Sequence, residues 1–267
     1  MSGLEINKIQ EPSSQELKKK DSDIGEISQN EKQQYTEQGI REGFVAFLDI
    51  VGFKNLIIRD LGFKDAIAKL RTISEYDSKI EDEFHIEDLA IKDKPIRIVR
   101  FSDTIFIFTR GASKEDLCNL IHTSSQLMAI SIKEEILLKG AIAYGEVLCN
   151  EEEQLYVGKP IIDAYELERD LNYLGLTLHH TAEKKLDEFG SICQELDRAE
   201  EIILTEKTPF KNGIVMHKNV NWPLIINLLQ EDSLNFKKNI KKLRHSSSGG
   251  KHRQVIDNTL NFFKESL

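Results

Sequence analysis

GFVAFLDIVGF, residues 43–53, decides the fold. From Phe44 to Ile50 the run is almost wholly apolar, broken only by Asp49, and Gly52 follows it. A run this short, closed by a turn signal, predicts a buried central strand whose last residues carry a carboxylate into the following turn. IRIVRFSDTIFIFT, residues 96–109, repeats the pattern in another form. Two strand-forming runs flank Ser102 and Asp103, which predicts a tight hairpin with Asp103 at its tip.

Working outward, the stretch after Gly52 mixes polar and apolar residues to about Glu83. Leu56, Ile57, Leu61, Ile67, Leu70 and Ile73 are spaced for one or two helices on a sheet face. Asp93 to Pro95 mark a turn. Ser113 followed by Asp116 is a capping-box signature for an amphipathic helix running to about Glu135. LLKGAIAYGEVLC, residues 137–149, reads as a strand, a turn near Gly145 and Glu146, and a second strand. A helix is expected from Ile161 to about Leu171 after Gly158 and Pro160. IILT at 202–205 and GIVMH at 213–217 supply edge or terminal strands, with helix thereafter. This order predicts an α+β fold, an antiparallel or mixed sheet covered by helices on one face.

The chain has 267 residues, 40% hydrophobic and 30% charged, enough for one substantial core with appendages. The expected division is a flexible, polar N-terminal arm at 1–40, a main domain at 41–220 and a helical, basic extension at 221–267. A formal charge of −9 gives no global field favouring nucleic acid or an anionic membrane. Cys118, Cys149 and Cys193 lack the spacing of a disulfide framework or zinc site, so the chain reads as cytoplasmic. No apolar leader or membrane-length run occurs. Phe236 to Ile256 contains no Asp or Glu and collects Lys237, Lys238, Lys241, Lys242, Arg244, Lys251 and Arg253 around SSSGG. It reads first as a solvated helix and loop, with polyphosphate, partner or nucleic-acid contact as the other readings.

A carboxylate at the end of an apolar strand has a desolvation cost, which a cation, hydrogen bonds or a metal offsets. Taken alone, Asp49 and Asp103 are open to turn capping or to holding magnesium or manganese that carries phosphate oxygens. The ordered set FLDIVGFKN, FSDTIFIF, LLKGAIAYGEV and YVGKPIIDAYELE resembles the catalytic domain of class III nucleotidyl cyclases over about residues 43–185. That resemblance implies a ferredoxin-like α+β domain working as a head-to-tail homodimer with substrate sites in the interface. It implies that Asp49, Asp103 and the main chain of Ile50 bind two Mg2+ or Mn2+ ions. It also implies that the amides of Val51, Gly52 and Phe53 lie along a triphosphate, where the residues alone would equally allow an ordinary strand-to-helix turn.

The departures from the family bear on the substrate. Where the purine cyclases carry a base-reading Lys or Glu, this chain has Val99, while Arg97 shares its strand face and Arg100 faces the other way. Arg97 is therefore the side chain to reach a base or phosphate, with a solvated strand edge as its other reading. The family's transition-state Asn and Arg fall on Ile162 and Glu166. Tyr165, Glu168, Arg169 and Asn172 follow on successive turns, and Arg169 with Asn172 is a possible replacement pair, core packing or surface ion pairing being the alternatives. Lys139 and Tyr144 flank GAIA, Lys139 placed to meet phosphate and Tyr144 to stack on a base, on opposite faces unless a bulge intervenes. Together the segments resemble the divergent pyrimidine nucleotide cyclases of bacterial anti-phage defence. The implied activity is conversion of UTP or CTP to the 3',5'-cyclic nucleotide and pyrophosphate. A purine cyclase and an inactive nucleotide-binding module are the alternatives.

Overall fold

Strand β1, Ile40–Ile50, buries nearly its whole length, because Phe44, Ala46, Leu48 and Ile50 face one side and Val45 and Phe47 the other. The computed structural model describes residues 39–60, 62–83, 96–194, 198–228, 236–246 and 250–264. The arm expected at 1–40 falls outside them as far as residue 38. From Gly39 onward the chain gathers into one compact unit.

After β1, a single turn at Phe53–Asn55 and a π-helical turn at Leu56–Asp60 lead into α1, Gly62–Glu83. The hairpin follows as β2, Ile96–Phe101, and β3, Thr104–Thr109, with Ser102 and Asp103 as its tip and Ser102 in the left-handed region (φ 59°). Helix α2, Lys114–Lys133, starts at the Ser113–Asp116 capping box. Strand β4, Leu138–Asn150, pairs antiparallel with β1, so that β1 is flanked by β3 and β4. The resulting βαββαβ order with sheet order β2-β3-β1-β4 is the ferredoxin-like arrangement, extended by further strands.

The expected turn at Gly145 and Glu146 does not occur. β4 runs straight through, because β1 is long enough to pair with it from Ile50↔Leu138 to Ile40↔Leu148, and Gly43 lies opposite Gly145. The turn comes instead at 151–154, and β5, Leu155–Gly158, pairs back on β4. The sheet continues through β6 (Leu176–Leu178), parallel to β4, and the hairpin β7 (Ile203–Phe210) and β8 (Gly213–Val220). β6 and β8 share one backbone pair, Thr177↔Asn219. Buried side chains reinforce it: the hydroxyls of Tyr173 (2.5 Å) and Thr177 (2.8 Å) both donate to Asn219 Oδ1.

Helices cover both faces, not one. The main core lies under α2, α4 (His180–Phe189) and the C-terminal helices α5 (Trp222–Leu228), α6 (Phe236–Ser246) and α7 (Gly250–Phe262). Ile240, Leu243, Val255, Ile256 and Phe263 join that core, so residues beyond 221 pack on the same sheet. The second face receives α3, Lys159–Asp170, because Ala141 and Ala143 on β4 leave room for Ala164 and Phe47.

Candidate active site

The α3 face of the sheet carries the carboxylates. Strand registers place Phe101, Thr104, Asp49 and Lys139 in one row across β2, β3, β1 and β4. Register partners share a face, so these side chains emerge side by side at the end where β1 stops. Two main-chain bonds fix that end: Ile50 N donates to Asp103 O at 3.0 Å, and Val51 N to Leu137 O at 2.8 Å. The hairpin tip is thereby tied to the residue next to Asp49, and the two aspartates converge.

Asp49 is held in a partly desolvated, acidic place. Burial, then the nearby Glu168 and Asp103 carboxylates, push its pKa up from 3.8 to about 7, opposed by Lys139 and Lys211. Glu168, on α3, is buried and lies 2.7 Å from Lys139 Nζ through Oε1. The same ammonium donates to the carbonyls of Glu168 (2.7 Å) and Leu171 (3.3 Å) at the end of α3. Burial shifts Lys139 down and Glu168 up, each toward its neutral form, and each one's charge opposes the other's shift. Lys139, expected at a phosphate, thus spends its donors on the helix end that shapes the floor beneath Asp49.

The donor set fits a hard divalent cation. Two carboxylates and the Ile50 main chain are oxygen donors, and an excess of negative charge around a half-buried Asp49 is what a cation relieves. Among the described residues no three His, Cys, Asp or Glu side chains form a ready cage. Magnesium and manganese need none, since they complete their shells with water and substrate phosphate.

Beyond Ile50 the chain turns sharply. Gly52 has φ +78°, in the left-handed region that favours glycine, and its carbonyl accepts from Leu56 N at 3.1 Å. Val51, Gly52 and Phe53 stand next to Asp49 in the chain, but the Val51 N–H is spent on the Leu137 carbonyl, so of the three amides expected along a triphosphate that of Val51 is withdrawn into the sheet.

The other expected residues divide. Arg97 shares the Asp49 face through its partner Phe108, and its Nε lies 3.3 Å from Glu151. Four residues separate it from Phe101 along β2, about 13 Å at 3.3 Å per residue, so it stands away from the row that holds Asp49. Arg100 faces the core, donating to Ile73 O at 3.4 Å. Tyr144 is on the far face: the β1–β4 register has no bulge, so residues 139 and 144 point oppositely. Its ring packs 5.2 Å from Phe44, under Lys185, and burial raises its phenol above the usual range. It is not brought to Asp49.

Arg169 and Asn172 do not share a helical face. α3 ends at Asp170 and Leu171 is extended, because the Lys139 ammonium draws the last carbonyls inward and Leu171 bridges Phe210. Arg169 is largely exposed, over the Tyr165 ring, which itself meets Phe47 at 5.4 Å. Asn172 instead serves β7 and α7: its N–H donates to Pro209 O (2.9 Å) and its carbonyl accepts from Asn258 Nδ2 (2.8 Å).

Lys211 was missed by sequence reasoning. It sits at the β7–β8 turn, where its N–H donates to Asp170 O (2.8 Å) and its ammonium to Arg169 O. Its charge reaches Asp49, Glu168 and Lys139. The Lys-Asn-Gly hairpin signal is visible in the sequence, but nothing local announces where the tip lands.

No protein-family model matches the chain, and no curated protein matches it. Among solved structures it is similar to the catalytic core of a rhodopsin-guanylyl cyclase with converted specificity in complex with ATPαS, at 13% identity over 68% of this chain and 96% of that one, TM-score 0.45. It is also similar to a bacterial light-regulated adenylyl cyclase, at 16% identity over 68% and 53%, TM-score 0.46. A third is a class III adenylyl cyclase-like ATP-binding protein from Pseudomonas aeruginosa, at 13% over 57% and 37%, TM-score 0.39. The chain spans about half of the second protein and less of the third. No helix among the described residues is long and apolar enough to cross a membrane.

Proposed function

We propose that this chain is a nucleotidyl cyclase acting on a pyrimidine nucleoside triphosphate, UTP or CTP, and that its product is a second messenger of anti-phage defence. The observation that carries the cyclase reading is the convergence of Asp49 and Asp103 at the end of β1, beside the left-handed Gly52 turn. The pyrimidine and defence assignments rest on the resemblance of the four motif segments and on Val99 at the base-reading position.

In this reading the ribose 3'-oxygen attacks the α-phosphate and pyrophosphate leaves. Asp49, Asp103 and the Ile50 carbonyl would hold two Mg2+ or Mn2+ ions, which when bound supply activation of the 3'-hydroxyl and neutralisation of the triphosphate. The amides of Gly52 and Phe53 orient the phosphates, the Val51 N–H being taken by the Leu137 carbonyl. Lys211 and Arg169, at the rim, offset charge developing on the leaving group. Arg97 stands at the base end. Exposed Phe101, Ile162 and Tyr165 on the same side of the sheet support a homodimer that closes the site, with a partner supplying further cations.

The test is a product assay with Mn2+ and each of the four nucleoside triphosphates. Cyclic UMP or CMP with equimolar pyrophosphate is expected; comparable turnover of ATP or GTP would overturn the pyrimidine assignment. One observation favours a second reading, a nucleotide-binding module without turnover. Ile162 and Glu166, both exposed, occupy the positions of the family's transition-state pair. Nucleotide binding without pyrophosphate release would establish it.

A further inference from the structure

The C-terminal helices meet the site at Gly52. A Cβ placed there would lie 2.5 Å from His252 Nε2 and 2.6 Å from its Cε1, so the imidazole rests directly on the glycine. Gly52 is thus favoured by its φ of +78°, and any side chain there would also have to displace the His252 ring.

The ring belongs to a firmly seated element. His252 lies in the first turn of α7, whose Val255, Ile256 and Thr259 are buried. The Thr259 hydroxyl accepts from Leu174 N at 2.8 Å, and Phe263, just beyond the helix, is fully buried with Trp222 and Tyr173. Arg244 of α6 is tied to Asp257 of α7 through Nη2 at 3.1 Å. On the other flank, Lys242 of α6 pairs with Glu135 at 2.5 Å, two residues before the Leu137 carbonyl that takes Val51 N. The helix pair therefore holds the turn at Gly52 directly and braces the strand end that holds Val51.

We infer that His252 is a positioning residue for the 51–53 turn, and that α6 and α7 are working parts of the nucleotide site. This deepens the cyclase reading and rests on it. With the ring against Gly52, the turn keeps one conformation and presents the amides of Gly52 and Phe53 to the triphosphate without first having to order. Without the ring, a glycine with open space on one side samples others, and phosphate binding must select among them. The role is steric; it asks for no proton transfer and no charge on the imidazole.

Two variants and two readouts test it. His252→Ala is expected to speed amide exchange of Gly52–Leu56 in the ligand-free protein about tenfold. It should raise KM for UTP with Mn2+ about tenfold while leaving kcat within about twofold and the melting midpoint unmoved. His252→Gln, whose amide reaches the place of Nε2, should restore most of both losses, and it keeps the test open if the alanine variant fails to fold. In the active protein, an unchanged exchange rate or an unchanged KM in His252→Ala would overturn the inference. If the wild type turns over no triphosphate, the cyclase reading fails, and the exchange experiment alone still decides whether His252 holds the turn.

Discussion

Lys139 lies directly opposite Asp49 in the β1–β4 register, yet its ammonium is turned to Glu168, 2.7 Å away beneath α3. The pair is almost fully buried, so its members depend on each other more than the fold depends on the pair.

Removing one partner should therefore cost more than removing both. Glu168→Ala leaves a buried ammonium facing two carbonyls and is expected to lose about 3–5 kcal/mol in chemical denaturation. The double variant Glu168→Leu with Lys139→Met should recover most of that loss. A double variant no more stable than Glu168→Ala would contradict the coupling.

Asp49 gives the site a pH signature with a definite sign. Its folded pKa of about 7 stands above the ordinary 3.8, so the folded state holds a proton that the unfolded state releases. That contribution to stability is fully present below about pH 4 and is lost as pH rises through 7. Against Asp49→Asn, the metal-free wild type should lose about 1–2 kcal/mol of relative stability between pH 4 and 8, discounted for the solvent that still reaches the group. Paired melts of the two proteins across that range, with and without Mn2+, measure it. Mn2+ should stabilise the wild type at pH 8 and leave the variant unmoved.

Gly140 and Gly190 separate two costs of a methyl group. A Cβ on Gly140 would stand 2.3 Å from Leu48 Cδ2 and 2.6 Å from the Phe47 carbonyl, inside the strand pair that carries Asp49. Gly140→Ala should lose about 2–3 kcal/mol and reduce metal affinity by shifting β1 against β4. Gly190 has φ +73° and ψ −127° with open space around it, so Gly190→Ala should lose about 1–3 kcal/mol from backbone strain alone and leave metal affinity unchanged. Denaturant midpoints and metal titrations of the two separate the costs; an unchanged metal affinity in Gly140→Ala would show that crowding there is relieved by small shifts.

Lys211 is placed to offset charge on a leaving pyrophosphate. Lys211→Ala should keep the fold, since the side chain is exposed, and lower kcat/KM about tenfold or more. Steady-state kinetics with the favoured nucleotide checks this. An unchanged kcat/KM would confine Lys211 to holding Arg169 and the end of α3.

What could be read in the sequence was local. Asp49 ends an apolar run and Asp103 divides two β runs, so each reveals its own strand end, and the Ser113 capping box marks its own helix. The Gly145 turn failed because pairing with an eleven-residue β1 outweighs a local glycine signal. The pairing of Arg169 with Asn172 on one helical face failed because α3 ends at Asp170, where a buried lysine from another strand takes the carbonyls of Glu168 and Leu171. Lys211 and His252 come from 162 and 203 positions beyond Asp49, and only the folded topology brings them to the Asp49–Gly52 turn.

The most direct measurement is pyrophosphate release with Mn2+ and UTP or CTP by the wild type, Asp49→Ala and Asp103→Ala, with oligomeric state recorded alongside. The wild type should release pyrophosphate stoichiometrically with a 3',5'-cyclic pyrimidine nucleotide, and both variants should lose it at least about a hundredfold while remaining folded and assembled. Ordinary turnover in both variants would contradict the assignment of the two aspartates.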